Sequence, residues 1–194
     1  MIDTLSVIIL TVVTLLTAWG ARRDLRIPLW TTLSAFAVAL SLSIHAIGPA
    51  FASLGVLILI CLMIIETDRR HHLIPDTFTI ALFALALVMP FDDDLQAQTL
   101  GAVVLGALFL ATRYAFAARG SAEALGLGDV KLAAAIGAVL GPVHAFYAVF
   151  IAGLATILVV AVRNRGGVVS VGAPFGVGLA AATAAIAVLR ALTL

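Results

Sequence analysis

The sequence predicts an all-α fold, a polytopic transmembrane bundle of about eight helices. Three observations carry that expectation. The chain of 194 residues is 63% hydrophobic and only 11% charged, with a mean hydropathy of +1.22, far too apolar for a soluble domain of this size. Apolar runs near helical spanning length recur along it, without the ten-residue alternation of a barrel strand. Basic residues fall between alternate runs, as loops on one side of a membrane would place them.

The first span runs from about Leu5 to Gly20 and delivers the chain to Arg22, Arg23 and Arg26. Because these basic residues follow the apolar run, it reads as a retained helix and not as a signal peptide. The positive-inside tendency then puts Arg22 to Arg26 in the cytoplasm and the N-terminus outside. The second span, about Leu29 to Ile47, returns to Gly48-Pro49. The third, about Phe51 to Ile65, comes back to a loop with Asp68, Arg69 and Arg70. The fourth, about Phe78 to Met89, leads to the acidic turn Asp92-Asp93-Asp94, and the fifth, about Thr99 to Phe116, returns to Arg119 and the small polar loop Gly120 to Glu123.

The stretch from Lys131 to Arg163 holds a short sixth span and a seventh, with Gly141-Pro142 as the turn between them. Pro174-Phe175-Gly176 opens the eighth, which carries the chain to an outer C-terminus. This threading puts ten of the eleven Lys and Arg residues on the cytoplasmic side, Arg190 being the exception. The fourth and sixth spans have fewer apolar residues than a full crossing and read as tilted, re-entrant or broken. Arg22 to Pro28 aligns with Arg69 to Pro75, each between two apolar runs. Coincidence between basic juxtamembrane loops is preferred over duplication, and Ala21 stands where the second copy has Asp68.

Two aspartates carry the chemistry. Asp68 lies at the C-terminal end of the third span and Asp129 at the N-terminal end of the sixth, in Gly126-Leu127-Gly128-Asp129-Val130-Lys131. The threading puts both at one cytoplasmic depth. A single acid at a helix end is a solvated charge; two at one depth can face each other. Peptide hydrolysis by a carboxyl pair needs one ionised, to activate water, and one protonated, to donate. A helix N-terminus favours the anion at Asp129 and a helix C-terminus disfavours it at Asp68, with Arg69 and Arg70 opposing the second effect. The acid and base roles stay unassigned.

Gly126 and Gly128 let a substrate strand approach Asp129 closely. Lys131, the only lysine, reads as a snorkelling surface anchor or a charge that biases the pair. Pro75 prevents the Asp68 loop from continuing as helix, and Asp76 then caps the next one. Glu66 faces away from Asp68. His71 and His72 read as a surface loop pair, with no metal site. The single Cys61 allows neither a disulfide framework nor a cysteine zinc site, and reads as a buried apolar side chain. The net charge of +1 gives no indication of nucleic acid.

These residues resemble the type IV prepilin peptidase family, in a short form without the methylating cysteine domain. Three features carry the resemblance: Asp68 ahead of Ile74-Pro75-Asp76; Gly126, Gly128, Asp129 and Lys131 as Gly-x-Gly-Asp-x-Lys; and Pro174-Phe175-Gly176 opening the last helix. They cover about residues 61–180 of a single 1–194 membrane domain, leaving two extra N-terminal helices over about 1–50. The resemblance implies catalytic aspartates at Asp68 and Asp129. It implies removal of basic leader peptides from pilin-like or pseudopilin precursors at the cytoplasmic face of a bacterial inner membrane. It implies no metal or organic cofactor, and with one cysteine no methyl transfer. Presenilin-type peptidases share the glycine-aspartate motif, but no Tyr-Asp stands at Asp68. The competing readings are a proton-coupled transporter, whose acids belong near mid-membrane on broken helices, and a non-catalytic assembly protein.

Overall fold

The computed structural model describes residues 49–87, 94–120, 125–164 and 175–192, with Thr17 and Trp19 as isolated helical positions. The described residues form helices and short connections, without strands. In chain order the helices are α1 (Pro49–His71), α2 (Asp76–Ala86), α3 (Leu95–Ala118), α4 (Leu127–Asn164) and α5 (Phe175–Ala191). Apart from Thr17 and Trp19, the first two expected spans, with Arg22, Arg23 and Arg26, lie outside the described residues, as do Asp92, Asp93 and Pro174.

Of the six spans expected over the described stretch, the sixth and seventh are the two helical halves of α4, which meet at Gly141-Pro142, where the turn was expected. The break is at Gly141, whose φ of 70° and ψ of 171° are non-helical. Glycine tolerates that left-handed φ, and Pro142 begins the second half, where a missing N–H and a fixed φ suit a helix start. The break frees carbonyls at the end of the first half. One of them, Leu140 O, accepts a hydrogen bond from Arg190 Nη1 at 3.1 Å. The cation thus sits at a helix C-terminus, where the dipole favours it.

One correction concerns α1. It was expected to end near Ile65 and give way to a loop, but it continues through Asp68 to His71. Glu66 pairs with Arg69 at 3.1 Å and with Arg70, the three- and four-residue spacings that support a helix. Thr67 Oγ1 also donates to Met63 O at 2.7 Å. The helix stops at His72, in the left-handed region at φ 50°, whose N–H donates to Asp68 O at 2.9 Å, an αL cap closed by a residue type enriched there.

α3 begins under an Asp94 cap, whose Oδ1 accepts from Gln96 N at 2.8 Å. It crosses α4 at minimal distance. A Cβ on Gly137 would lie 2.2 Å from Gly101 O, and one on Gly101 would lie 2.2 Å from Gly137 O. Small residues that let two backbones touch are the usual device where lipid removes the hydrophobic drive for helix association. α1 and α4 pack on α5, and α2 on α4 and α1. The core between them includes Leu57, Ile60, Ile64, Phe78, Leu132 and Ile136, all fully buried.

α3 and residues Leu127–Val162 of α4 are long and apolar enough to cross a membrane, and only 17% of each apolar window is buried. Phe150, Leu154, Ile157 and Leu158 face outward. An apolar exterior of this extent on long helices belongs in lipid, and the chain is a membrane protein. α2 has 11 residues, about 16 Å at the helical rise, which explains why its apolar run looked too short for a full span.

Candidate active site

Asp68 and Asp129 reach the site by different local logic. Asp68 occupies the last turn of α1, three residues beyond the apolar run that ends at Ile65, and is 6% exposed. Its carboxylate Oδ2 accepts a hydrogen bond from Val177 N–H at 3.0 Å. Val177 is the third residue of α5, so this amide is one of the N-terminal donors that have no partner within the helix. A carboxylate at the C-terminal end of its own helix is therefore set against the positive end of another. This docking opposes the unfavourable field expected for Asp68 from the C-terminal end of its own helix. Arg69 and Arg70, expected to act on Asp68, turn instead to Glu66. Burial raises the pKa of Asp68 above the ordinary carboxylate value, while the Val177 amide and the nearby His72 act in the opposite direction.

Asp129 is the third residue of α4. From that position it can reach back to the helix start, and the Gly126 backbone N–H is its partner, half of a capping box with an acid in place of the usual Glu. The glycines flanking it are both constrained by neighbours. A Cβ on Gly126 would stand 3.3 Å from Asp129 Oδ2, and one on Gly128 would stand 3.2 Å from Ile74 Cβ. The Asp68 carboxyl is close enough for its charge to act on Asp129.

Gly176, second in α5, sits against Asp68. A Cβ there would be 2.8 Å from Asp68 Oδ2 and 2.8 Å from Ile74 Cδ1. Phe175 stacks on Phe109 of α3 with ring centroids 5.9 Å apart, which fixes the start of α5 laterally. Pro174 lies outside the described residues.

Asp76 does not cap α2 through its side chain. The cap position falls on Pro75, in extended conformation at φ −64° and ψ 139°, and no side-chain cap bond forms. Asp76 is the first helical residue, and its Oδ1 accepts from Lys131 Nζ at 2.7 Å. Lys131 is thus paired across two helices. His71, the last residue of α1, and His72 after it are both exposed, so only His72 lies in the loop expected for the pair.

Sequence reasoning missed three contributors. Val177 acts through its backbone, so its side chain carries no signal; the only trace was a Pro-Phe-Gly start that leaves free amides. Ile74 touches both glycine segments although it read as part of a motif. Arg113 donates to the Leu125 carbonyl, tying α3 to the chain just before Gly126. Together these contacts bring the residue 68, 74–76, 126–131 and 175–177 segments to one end of the bundle. Two carboxyls there, one buried and amide-held, can share a proton and activate water.

Residues 55–161 match the type IV leader peptidase family. The match takes in both aspartates, Ile74-Pro75-Asp76 and Gly126 to Lys131, and ends before α5. No curated protein and no solved structure matches the chain.

Proposed function

The chain belongs to the type IV leader peptidase family and is a peptidase, and from that premise we propose that Asp68 and Asp129 are its catalytic pair. The chain is an aspartic endopeptidase that removes short basic leaders from pilin-like or pseudopilin precursors. One carboxylate takes a proton from water, and the resulting hydroxide adds to the scissile carbonyl while the other, protonated carboxyl donates to the carbonyl oxygen. The tetrahedral species collapses as the proton is delivered to the leaving amine. The chemistry needs no group beyond water and the two acids.

The observation that carries this reading is the convergence of two acids from separate helices at one end of the bundle, with Asp68 almost fully buried. A transporter reading would favour acids at a helix break, but the break in α4 falls at Gly141, away from both aspartates. Reading the whole chain, 1–194, as one multi-pass domain of about eight spans puts the pair at the cytoplasmic face of a bacterial inner membrane, where basic leaders reside. The Cβ positions of Gly126, Gly128 and Gly176 are taken up by Asp129, Ile74 and Asp68, so these glycines serve the close packing of the acids and not, as expected, the approach of a substrate strand. With a single cysteine, methyl transfer is not part of the proposed activity.

Co-expression with a pilin-type precursor tests the reading, wild type against Asp129→Asn, with precursor and mature bands separated on a gel. Asn keeps the shape and removes the ionisable group. A mature band with wild type alone is expected; a mature band with both would remove Asp129 from the mechanism.

A further inference from the structure

Between the Gly128 position, next to Asp129, and the Gly176 position, against Asp68, lies the side chain of Ile74, on a short connection that is tied down at both ends. Residue His72 takes a left-handed φ of 50° and donates its N–H to the Asp68 carbonyl at 2.9 Å. That turn redirects the chain so that residues 72–75 leave α1 non-helically. Asp76, at the other end, is bonded to Lys131 at 2.7 Å, two residues past Asp129. The strap is therefore fastened to the backbone of one aspartate and to the helix of the other.

Ile74 fills the space this strap crosses. Its Cβ would stand 3.2 Å from a Cβ on Gly128, the residue before Asp129, and its Cδ1 would stand 2.8 Å from a Cβ on Gly176. The same point on Gly176 lies 2.8 Å from Asp68 Oδ2. The side chain thus reaches from the Asp129 segment to the side of the Asp68 carboxylate, and it packs on the buried core behind. Close-packed interiors transmit a change of one methylene to whatever they hold apart.

We propose that Ile74 is the spacer that sets the separation of the Asp68 and Asp129 carboxyls, and that the 72–76 strap holds it there. The proposal rests on the two-aspartate reading and adds a positioning residue to it. Ile74 touches no reacting atom in this role; it acts through the distance between the acids. Other charged or titratable groups at this end are Glu66 with Arg69 and Arg70, His71, His72, Lys131 with Asp76, and Arg113 on the Leu125 carbonyl, and changing Ile74 leaves each of these side chains in place.

The consequence is specific to pH. Two carboxyls that share a proton titrate in two steps, and the closer they lie, the further apart those steps fall. Activity needs one proton on the pair, so the two steps bound a bell-shaped profile. A smaller residue at 74 lets the segments close and widens the bell; a larger one narrows it. A residue that merely stabilised the fold would lower activity without moving either limb.

The test follows cleavage of a synthetic precursor peptide, a basic leader joined to an apolar helix, by the full chain in detergent micelles. Rates are read across a wide pH range for wild type, Ile74→Val, Ile74→Ala and Ile74→Phe, with Leu73→Ala as control, since Leu73 is exposed. The limbs should move apart in the order Val then Ala and together for Phe, with kcat for Ile74→Ala down roughly 10- to 100-fold and KM within about threefold. Unmoved limbs throughout the series overturn the spacer; if Phe fails to fold, the graded Val and Ala pair decides. Asp68→Asn and Asp129→Asn run alongside. Cleavage by either would remove the two-aspartate reading itself, whereas two inactive Asn variants with an unmoved Ile74 series would remove only the spacer.

Discussion

Gly176 shows how much a missing methyl group can do. The hydrogen bond from Val177 to Asp68 requires the first turn of α5 to lie directly on the carboxylate, and only a residue without Cβ fits under it. Ala at this position is a better helix former by roughly 1 kcal/mol, so the fold has no reason to reject it on propensity. The added carbon would nevertheless stand 2.8 Å from Asp68 Oδ2. Of the two groups it meets, Ile74 Cδ1 is the far end of a flexible side chain and can move, while the carboxylate is held by its amide. Gly176→Ala should therefore cost cleavage roughly 10- to 100-fold, the scale of an ångström displacement of a catalytic group, with a thermal midpoint in detergent close to wild type. Full activity would mean that the Asp68 rotamer has slack.

At the scale of the helices, the α3–α4 crossing is the least forgiving contact. At Gly137 a new Cβ would meet the Gly101 carbonyl oxygen at 2.2 Å, and backbone cannot turn aside as a side chain can. Gly137→Leu should destabilise by about 3 kcal/mol or more, the upper range for overpacking. Gly153, further along α4, has nothing within 4 Å of its Cβ position, so Gly153→Ala should be neutral or gain about 1 kcal/mol. Thermal unfolding of the two variants in detergent reads the contrast; equal effects would mean that the helices separate freely. The sequence made some of this architecture legible and hid the rest for identifiable reasons. Gly141-Pro142 announced the break in α4, because each residue has its own backbone signature. The extension of α1 through Asp68 was hidden, because Glu66, Arg69 and Arg70 look like a polar loop until their spacing places them on one helical face. Asp68 and Asp129 stood out as acids in an apolar chain, but the start of α5 against Asp68 is a tertiary contact between distant segments.

Among the described residues, the charges of the site sit at one end of the bundle. Asp68, Asp76, Asp129 and Lys131 gather where α1 stops and α4 starts, and Arg113 binds the carbonyl of Leu125 at the same end. Arg190, the one basic residue that the threading leaves outside, is at the other end, on Leu140 O. Its exception to the charge asymmetry thus has a structural cause, the carbonyl freed by the break at Gly141. Residues 127–140 separate the two ends, about 20 Å of helix, less than the ~30 Å hydrocarbon core. The longer α3 and the second half of α4 must project beyond this short half, so the aspartates are expected in a recess that opens to water on the basic side. Single cysteines placed at Arg119 and Leu192 in a Cys61→Ala background test the arrangement with a membrane-impermeant maleimide on intact spheroplasts. Cysteine at 192 should label from outside, and cysteine at 119 only after the membrane is opened. The reverse pattern would put the aspartates on the outer side and separate them from any leader peptide still in the cytoplasm.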